Sequence, residues 1–183
     1  MPGGGQPKWG FHGLDEQAAA RLVAGAGIGP GDLVLDLGAG TGALTAPLVA
    51  AGARVVAVEL HPGRAVALQR RFPGPGGPVR VVRADLADLR LPRRPFRVVA
   101  NPPFATSAAV LRRLVSPGSR LVRGDLVLPA WLARRWSSPS APGVARWGRH
   151  FEVSVQRGPP RSAFRPPAST GVAILVIEAQ NGQ

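Results

Sequence analysis

RVVANPPFATSAAVLRRL, residues 97–114, is the stretch around which the chain is organised. Val98, Val99 and Ala100 form an unbroken apolar run, which suits a buried strand. Asn101-Pro102-Pro103-Phe104 must end that strand. Neither proline can donate to a sheet ladder, and each pushes the residue before it away from the α region. Val110, Leu111 and Leu114 then fall on one face of a following helix, for which Thr106 or Ser107 is the expected N-cap. A polar amide and an aromatic ring are thereby held at the carboxyl end of a strand, the place where open α/β sheets bind ligands.

Strands and helices alternate outward from this stretch. Upstream, Asp15 is placed to cap a helix with Leu14, Ala18 and Leu22 recurring every fourth residue. Residues 33–37 read as a strand that runs into Gly38-Ala39-Gly40-Thr41-Gly42 and a helix over 43–51. A second strand over 54–58 ends at Glu59, and Pro62 suits the first turn of the next helix. A third strand over 79–83 precedes Asp85. Downstream, residues 121–128 read as a fifth strand, 129–136 as a short helix, 149–157 as a loosely alternating segment and 172–177 as a last buried strand. The alternation predicts a doubly wound α/β fold. Residues 1–8, rich in Gly and Pro, are expected to form a disordered tail ahead of a single domain over 9–183.

Composition narrows the function. The chain of 183 residues has no cysteine, which leaves out disulfides and thiolate metal sites. Its start lacks the apolar core of a signal peptide, and its late apolar run is too short to span a bilayer, so a cytoplasmic protein with no membrane partner is expected. Net charge is +13, carried by arginine, with Lys8 the only lysine. A GC-rich genome explains the choice of arginine but not the excess of 23 basic over 10 acidic residues, which points to nucleic acid. The pairs Arg112-Arg113 and Arg134-Arg135 are the candidate phosphate contacts. Trp131, Trp136 and Trp147 lie among the later arginines, where they serve either base stacking or core packing. His12, His61 and His150 do not cluster, and no metal is expected.

The acidic and glycine-rich positions follow successive strands. Gly38–Gly42 gives a backbone that can approach a ligand closely, but its GxGxG spacing departs from the pyrophosphate-binding fingerprint and lacks the Gly-Lys-Ser/Thr of a P-loop. Glu59 is placed to accept from ribose hydroxyls, or is simply a polar strand end. Asp85 is placed to accept from an adenine amino group, or caps a turn. Three such positions in order after strands one, two and three are hard to obtain by accident.

GAGTG (38–42), VVAVEL (55–60), Asp85 and NPPF (101–104) together resemble the S-adenosylmethionine-dependent rRNA adenine-N6 methyltransferases, the family of the Erm macrolide-resistance enzymes and the KsgA-type dimethylases. NPPFATSAAVLRRL is most similar to the actinobacterial Erm branch, and PRSAFRPPASTGVAILVI (160–177) to the family's Pro-rich segment and final strand. The resemblance implies a Rossmann-like class I methyltransferase with a mostly parallel seven-stranded sheet and helices on both faces. It implies S-adenosylmethionine as cofactor, held by Gly38, Ala39, Gly40, Thr41, Gly42, Glu59, Leu60, Asp85, Leu86 and Asn101. It implies Asn101 and the Pro102 carbonyl as acceptors for the two N6 hydrogens of adenine, and Phe104 as the ring stacked on that base. Methylation of 23S rRNA, resistance to macrolide, lincosamide and streptogramin B antibiotics, and a monomeric state are the corresponding expectations. Three positions depart from the family. Phe11-His12-Gly13-Leu14 stands where Gln-Asn-Phe-Leu is usual, His61 replaces an acid, and Thr170-Gly171-Val172 replaces Val-Asp-Ser. The family's C-terminal helical domain is not expected here. Because NPP[FY] also serves DNA adenine and protein glutamine methyltransferases, those remain alternatives, as does a non-catalytic RNA-binding protein on this fold.

Overall fold

The computed structural model describes residues 12–74 and 76–180; the expected tail over 1–8 lies outside them. In chain order the strands are β1 (Leu33–Leu37), β2 (Arg54–Val58), β3 (Val79–Val82), β4 (Phe96–Ala100), β5 (Leu121–Pro129), β6 (Phe151–Arg157) and β7 (Val172–Ala179). The helices are α1 (Glu16–Ala26), α2 (Thr45–Ala50), α3 (Pro62–Arg71), α4 (Phe104–Leu114), α5 (Ala130–Trp136) and α6 (Val144–Trp147). The seven strands form one sheet in the order β3-β2-β1-β4-β5-β7-β6. β7 alone runs against the others, since it pairs antiparallel with both β5 and β6. The mostly parallel seven-stranded sheet is therefore present, and its order reverses between β1 and β4, the switch point where a ligand crevice opens.

The two faces of the sheet follow from strand periodicity. Val34, Val99 and Val127 pack on one side with Ala19, Leu22 and Val23 of α1, Leu48 of α2 and Leu68 of α3. Leu35, Leu37, Val98, Ala100, Leu126 and Leu128 pack on the other with Val110, Leu111 and Leu114 of α4 and Trp136 of α5. Helices thus cover both faces. Trp136 and Trp147 are core residues, 2% and 6% exposed and stacked on each other at 6.0 Å.

Local signals set the helix ends. Asp15 accepts from the Ala18 amide at 2.7 Å and starts α1. His61 caps α3 through Nδ1, which accepts from the Arg64 amide, and Pro62 follows in the first turn. The expected N-cap of α4 is corrected. The helix begins at Phe104 with Pro103 as its N-cap, and Thr106 and Ser107 are already helical. Their hydroxyls donate back to the Pro103 carbonyl at 3.0 and 3.1 Å, local bonds that Ser and Thr readily form inside a first turn. A two-residue ribbon, Gly13–Leu14 against Phe164–Arg165, ties the approach to α1 to the Pro-rich segment.

Asp125 sits in the middle of β5, 2% exposed. Arg123 on the same strand covers it with two bonds, Nε to Oδ2 at 2.9 Å and Nη2 to Oδ1 at 2.8 Å, and reaches Glu178 of β7 at 2.8 Å. Arg123→Met strands a buried carboxylate and is expected to destabilise the fold by about 3 kcal/mol. Replacing Arg123 and Asp125 together by Met and Leu is expected to cost less than the single change, as read from urea unfolding midpoints. A double variant less stable than Arg123→Met would contradict this view of the pair.

Candidate active site

The Gly38–Gly42 loop is held from below by β2. The amides of Gly38 and Ala39 both donate to the Val58 carbonyl, at 2.9 and 3.0 Å. Gly38 has φ of +78°, and a Cβ there would lie 3.0 Å from Pro103 Cδ. The residue must therefore be glycine for two reasons, its backbone conformation and the proline packed on it. The Gly40 amide donates to Glu59 Oε2 at 2.9 Å. Gly42 packs against Leu68 and Phe72, and the Thr41 carbonyl accepts from Arg71. Gly40 and Gly42 thus shape the loop from behind, while Gly38 faces the cleft.

That cleft gathers most of the expected residues. Gly38, Glu59, Leu60, Asp85, Leu86, Asn101, Pro102 and Phe104 line it together with His12 and Arg64. A smaller adjoining recess is lined by Asp36, Ala39, Thr41 and Asn101, again with Gly38 and His12. The expected arginines lie outside both. Arg112 and Arg113 are exposed on α4, where Arg113 Nη2 donates to the Ala87 carbonyl at 3.1 Å. Arg134 and Arg135 are exposed on α5.

Glu59 is 3% exposed and heavily engaged. It accepts from the Gly40 amide, from the His61 amide at 2.8 Å and from Arg64 Nη2 at 3.0 Å. A carboxylate offers about four acceptor sites, so one remains for a ligand hydroxyl. A second hydroxyl has to displace a donor, and the Arg64 side chain is the one not fixed by the backbone. Asp85 caps the turn Leu86–Asp88 through Oδ1, which accepts from the Ala87 amide at 2.9 Å.

Asn101 carries the most pointed geometry. Its Nδ2 donates to the His12 carbonyl at 2.8 Å, while its Oδ1 is buried with no partner among the described residues. A carbonyl can only accept, so the amide cannot turn over without setting two oxygens against each other. The free oxygen is therefore held beside the cleft. The His12 ring stacks on Phe104 at a centroid distance of 5.8 Å and 24° between planes, and its Nδ1–H donates to the Pro166 carbonyl at 3.2 Å. Neither role of His12 is visible in the sequence, because both depend on the ribbon that lays residue 12 across the end of β4.

Asp36 is a second residue that the sequence reading passed over. It is 1% exposed; Oδ2 accepts from the Thr45 hydroxyl at 2.7 Å, and Oδ1 is buried with no partner among the described residues. Burial, opposed by the Thr45 bond and reinforced by the nearby Glu59 charge, pushes its carboxyl up to about 7. The available signal was a carboxylate inside the otherwise apolar strand LVLDL. Asp36, Glu59 and Asp85 thus stand at the carboxyl ends of β1, β2 and β3, an acidic rim that suits a ligand with an ammonium group, a ribose and an amino-bearing base.

The sequence profile of the family described as ribosomal RNA adenine dimethylase matches residues 6–181. The mycinamicin-resistance protein MyrB of Micromonospora griseorubida is 36% identical over 152 residues, 81% of this chain and 47% of that protein. Ribosomal RNA small subunit methyltransferase A of Leifsonia xyli subsp. xyli is 36% identical over 140 residues, 74% of this chain and 49% of that protein. The crystal structure of the 23S rRNA methyltransferase ErmE superposes with a TM-score of 0.77 at 25% identity, covering 92% of this chain and 70% of that one. The chain spans about half the length of the curated relatives it matches.

The Asp36 carboxyl gives a pH prediction. In the unfolded chain it titrates near 3.8, and in the fold near 7. Between these values the folded protein holds a proton that the unfolded chain has lost, so stability falls as pH rises from about 4 to about 7 and this loss levels off above. Asp36→Asn removes the dependence. Denaturant midpoints of variant and wild type are expected to diverge in favour of the variant as pH rises through this window. A difference that does not change with pH would contradict the assignment.

Proposed function

The chain belongs to the ribosomal RNA adenine dimethylase family, and on that premise we propose that it transfers a methyl group from S-adenosylmethionine to the N6 amino group of an adenine in 23S rRNA. The observation that carries this reading is the buried, unpartnered Oδ1 of Asn101 beside the Gly38 loop, its amide fixed by the His12 carbonyl. The resistance protein MyrB and the structure of ErmE support 23S rRNA as substrate and resistance to macrolide-type antibiotics as consequence. A cytoplasmic monomer fits that role. Among the described residues no helix is long and apolar enough to cross a membrane.

The acidic rim divides the cofactor into its parts. Asp36 Oδ1 takes the ammonium of the methionine moiety, which favours the ionised carboxylate that burial otherwise disfavours. Glu59 takes the ribose, with Arg64 vacating a Glu59 lone pair when both hydroxyls bind. Asp85 takes the adenine amino group, and Leu60 and Leu86 supply apolar contact to the base. When bound, S-adenosylmethionine supplies an electrophilic methyl on a sulfonium.

The chain's part in the chemistry is to make a poor nucleophile attack. The N6 lone pair of adenine is delocalised into the ring. Asn101 Oδ1 and the Pro102 carbonyl accept its two hydrogens, which favours a tetrahedral nitrogen with the lone pair directed at the methyl group. Phe104 offers the target base the ring face that His12 does not cover. Reaching this cleft requires the adenine to leave any helical stack. Asn101 holds no basic group, so its contribution is positioning and electrostatics, and the proton leaves to solvent after transfer. Arg112, Arg134 and Arg135 make no side-chain bond among the described residues, which leaves their guanidinium groups for phosphates.

Asn101→Ala is expected to lower the single-turnover rate on a 23S hairpin by about a hundredfold or more, with cofactor affinity little changed. Glu59→Ala and Asp85→Ala are expected to do the reverse, each weakening S-adenosylmethionine binding by roughly 1–3 kcal/mol in calorimetry. A near wild-type rate for Asn101→Ala, or unchanged affinity in both acid variants, would overturn the assignments.

A further inference from the structure

The later tryptophans separate in the structure. Trp136 and Trp147 are buried, but Trp131 is 60% exposed, the most exposed of the large apolar side chains among the described residues. A single exposed apolar residue needs no explanation by itself. Its company here does. Trp131, Arg134 and Arg135 stand at i, i+3 and i+4 on α5 and are all exposed, while Leu132, Ala133 and Trp136 turn inward. The two guanidinium groups make no bond within the chain among the described residues, and neither α5 nor residues 137–143 contain an acid.

The location ties this face to the cleft. Ala100, the last residue of β4 before Asn101, pairs with Leu126 of β5. β5 continues three residues further to Pro129, a projection of about 10 Å beyond the end of β4. α5 starts there, and its first amide, that of Ala130, donates to the Gly171 carbonyl at 2.9 Å. The exposed indole thereby stands in the first turn of the helix that leaves the carboxyl end of β5, the strand next to the one that ends just before Asn101.

We propose that Trp131 is a stacking platform for an unpaired RNA base neighbouring the target adenine, with Arg134 and Arg135 on the adjoining phosphates. The proposal rests on the reading of the protein as an RNA methyltransferase. An indole face accepts any base, and arginines on the same helix face match the backbone charge that accompanies it. A second copy of the chain does not fit this face, since a two-fold contact would bring four guanidinium groups together. A base captured there holds the strand beside the flipped adenine, so the platform contributes to RNA affinity and leaves the transfer step alone.

Stacking and phosphate contact separate in a salt titration. The full-length protein is titrated with a 23S rRNA hairpin that has unpaired bases beside its adenine, following indole fluorescence and binding at several salt concentrations. Trp131→Ala is expected to lose roughly tenfold or more in affinity at every salt concentration with an unchanged log–log slope. Trp131→Phe is expected to retain most of the affinity, and Arg134→Gln with Arg135→Gln to flatten the slope. RNA is expected to quench the wild type's exposed indole emission and to have little effect on Trp131→Ala. Wild-type affinity in Trp131→Ala, or quenching that persists without Trp131, overturns the platform. Loss of binding to phosphatidylglycerol vesicles but not to RNA assigns the face to a membrane surface instead. If the wild type neither binds nor methylates the hairpin, the methyltransferase reading fails first; binding and methylation that ignore Trp131 defeat this proposal alone.

Discussion

Gly38 and Pro103 touch so closely that a single added carbon would lie 3.0 Å from the proline ring. This contact joins the loop after β1 to the turn after β4, at the point where the strand order reverses. The loop cannot shift without moving the prolines, and the prolines fix the direction in which Asn101 leaves the sheet. Glu59 fastens the same loop from the β2 side through the Gly40 amide. The Gly38–Gly42 loop and the Asn101–Phe104 turn therefore form one packed unit, and the proposed transfer between two bound molecules needs that kind of fixed spacing. His12 completes the unit from outside the sheet, because its carbonyl decides which way the Asn101 amide faces.

The site also holds groups that work against stability. Asn101 Oδ1 and Asp36 Oδ1 are buried without partners among the described residues, and a polar atom left so costs on the order of 1–3 kcal/mol or more. Both line the recess beside Gly38. Elsewhere the buried Asp125 is satisfied by the two bonds of Arg123, whereas Arg97 keeps a buried Nε without a partner among the described residues. The two unpartnered acceptor oxygens thus lie where a ligand can meet them. On the proposed reading the cofactor's ammonium group meets the first deficit, at Asp36, and the amino group of the target adenine meets the second, at Asn101.

Much of the fold could be read from the sequence because strand periodicity and turn residues act locally. LVLDL, RVVA and their glycine- and proline-marked ends needed no tertiary information, and neither did the order of Gly38, Glu59, Asp85 and Asn101 along one edge. The N-cap of α4 was misread because the prolines start the helix themselves, and the Thr106 and Ser107 hydroxyls turn back to Pro103. The role of His12 was out of reach, since it arises from a ribbon linking residues 13–14 to 164–165. Trp131 and Trp136 lie on the same short helix, and only the docking of α5 on the sheet separates the exposed ring from the buried one. Asp36 was hidden by its setting, an acid in an apolar strand whose meaning depends on the recess beside it.

The function proposed for this edge is methylation of an adenine amino group in large-subunit rRNA. The direct measurement offers S-adenosylmethionine labelled in its methyl group to the full-length protein with 23S rRNA, 16S rRNA, DNA and ribosomal proteins present together. Each fraction is then recovered and digested to nucleosides or amino acids. Label is expected in 23S rRNA alone, recovered as N6-methylated adenosine. Label in 16S rRNA, in DNA or in protein glutamine, or no transfer at all while RNA binds, would contradict it.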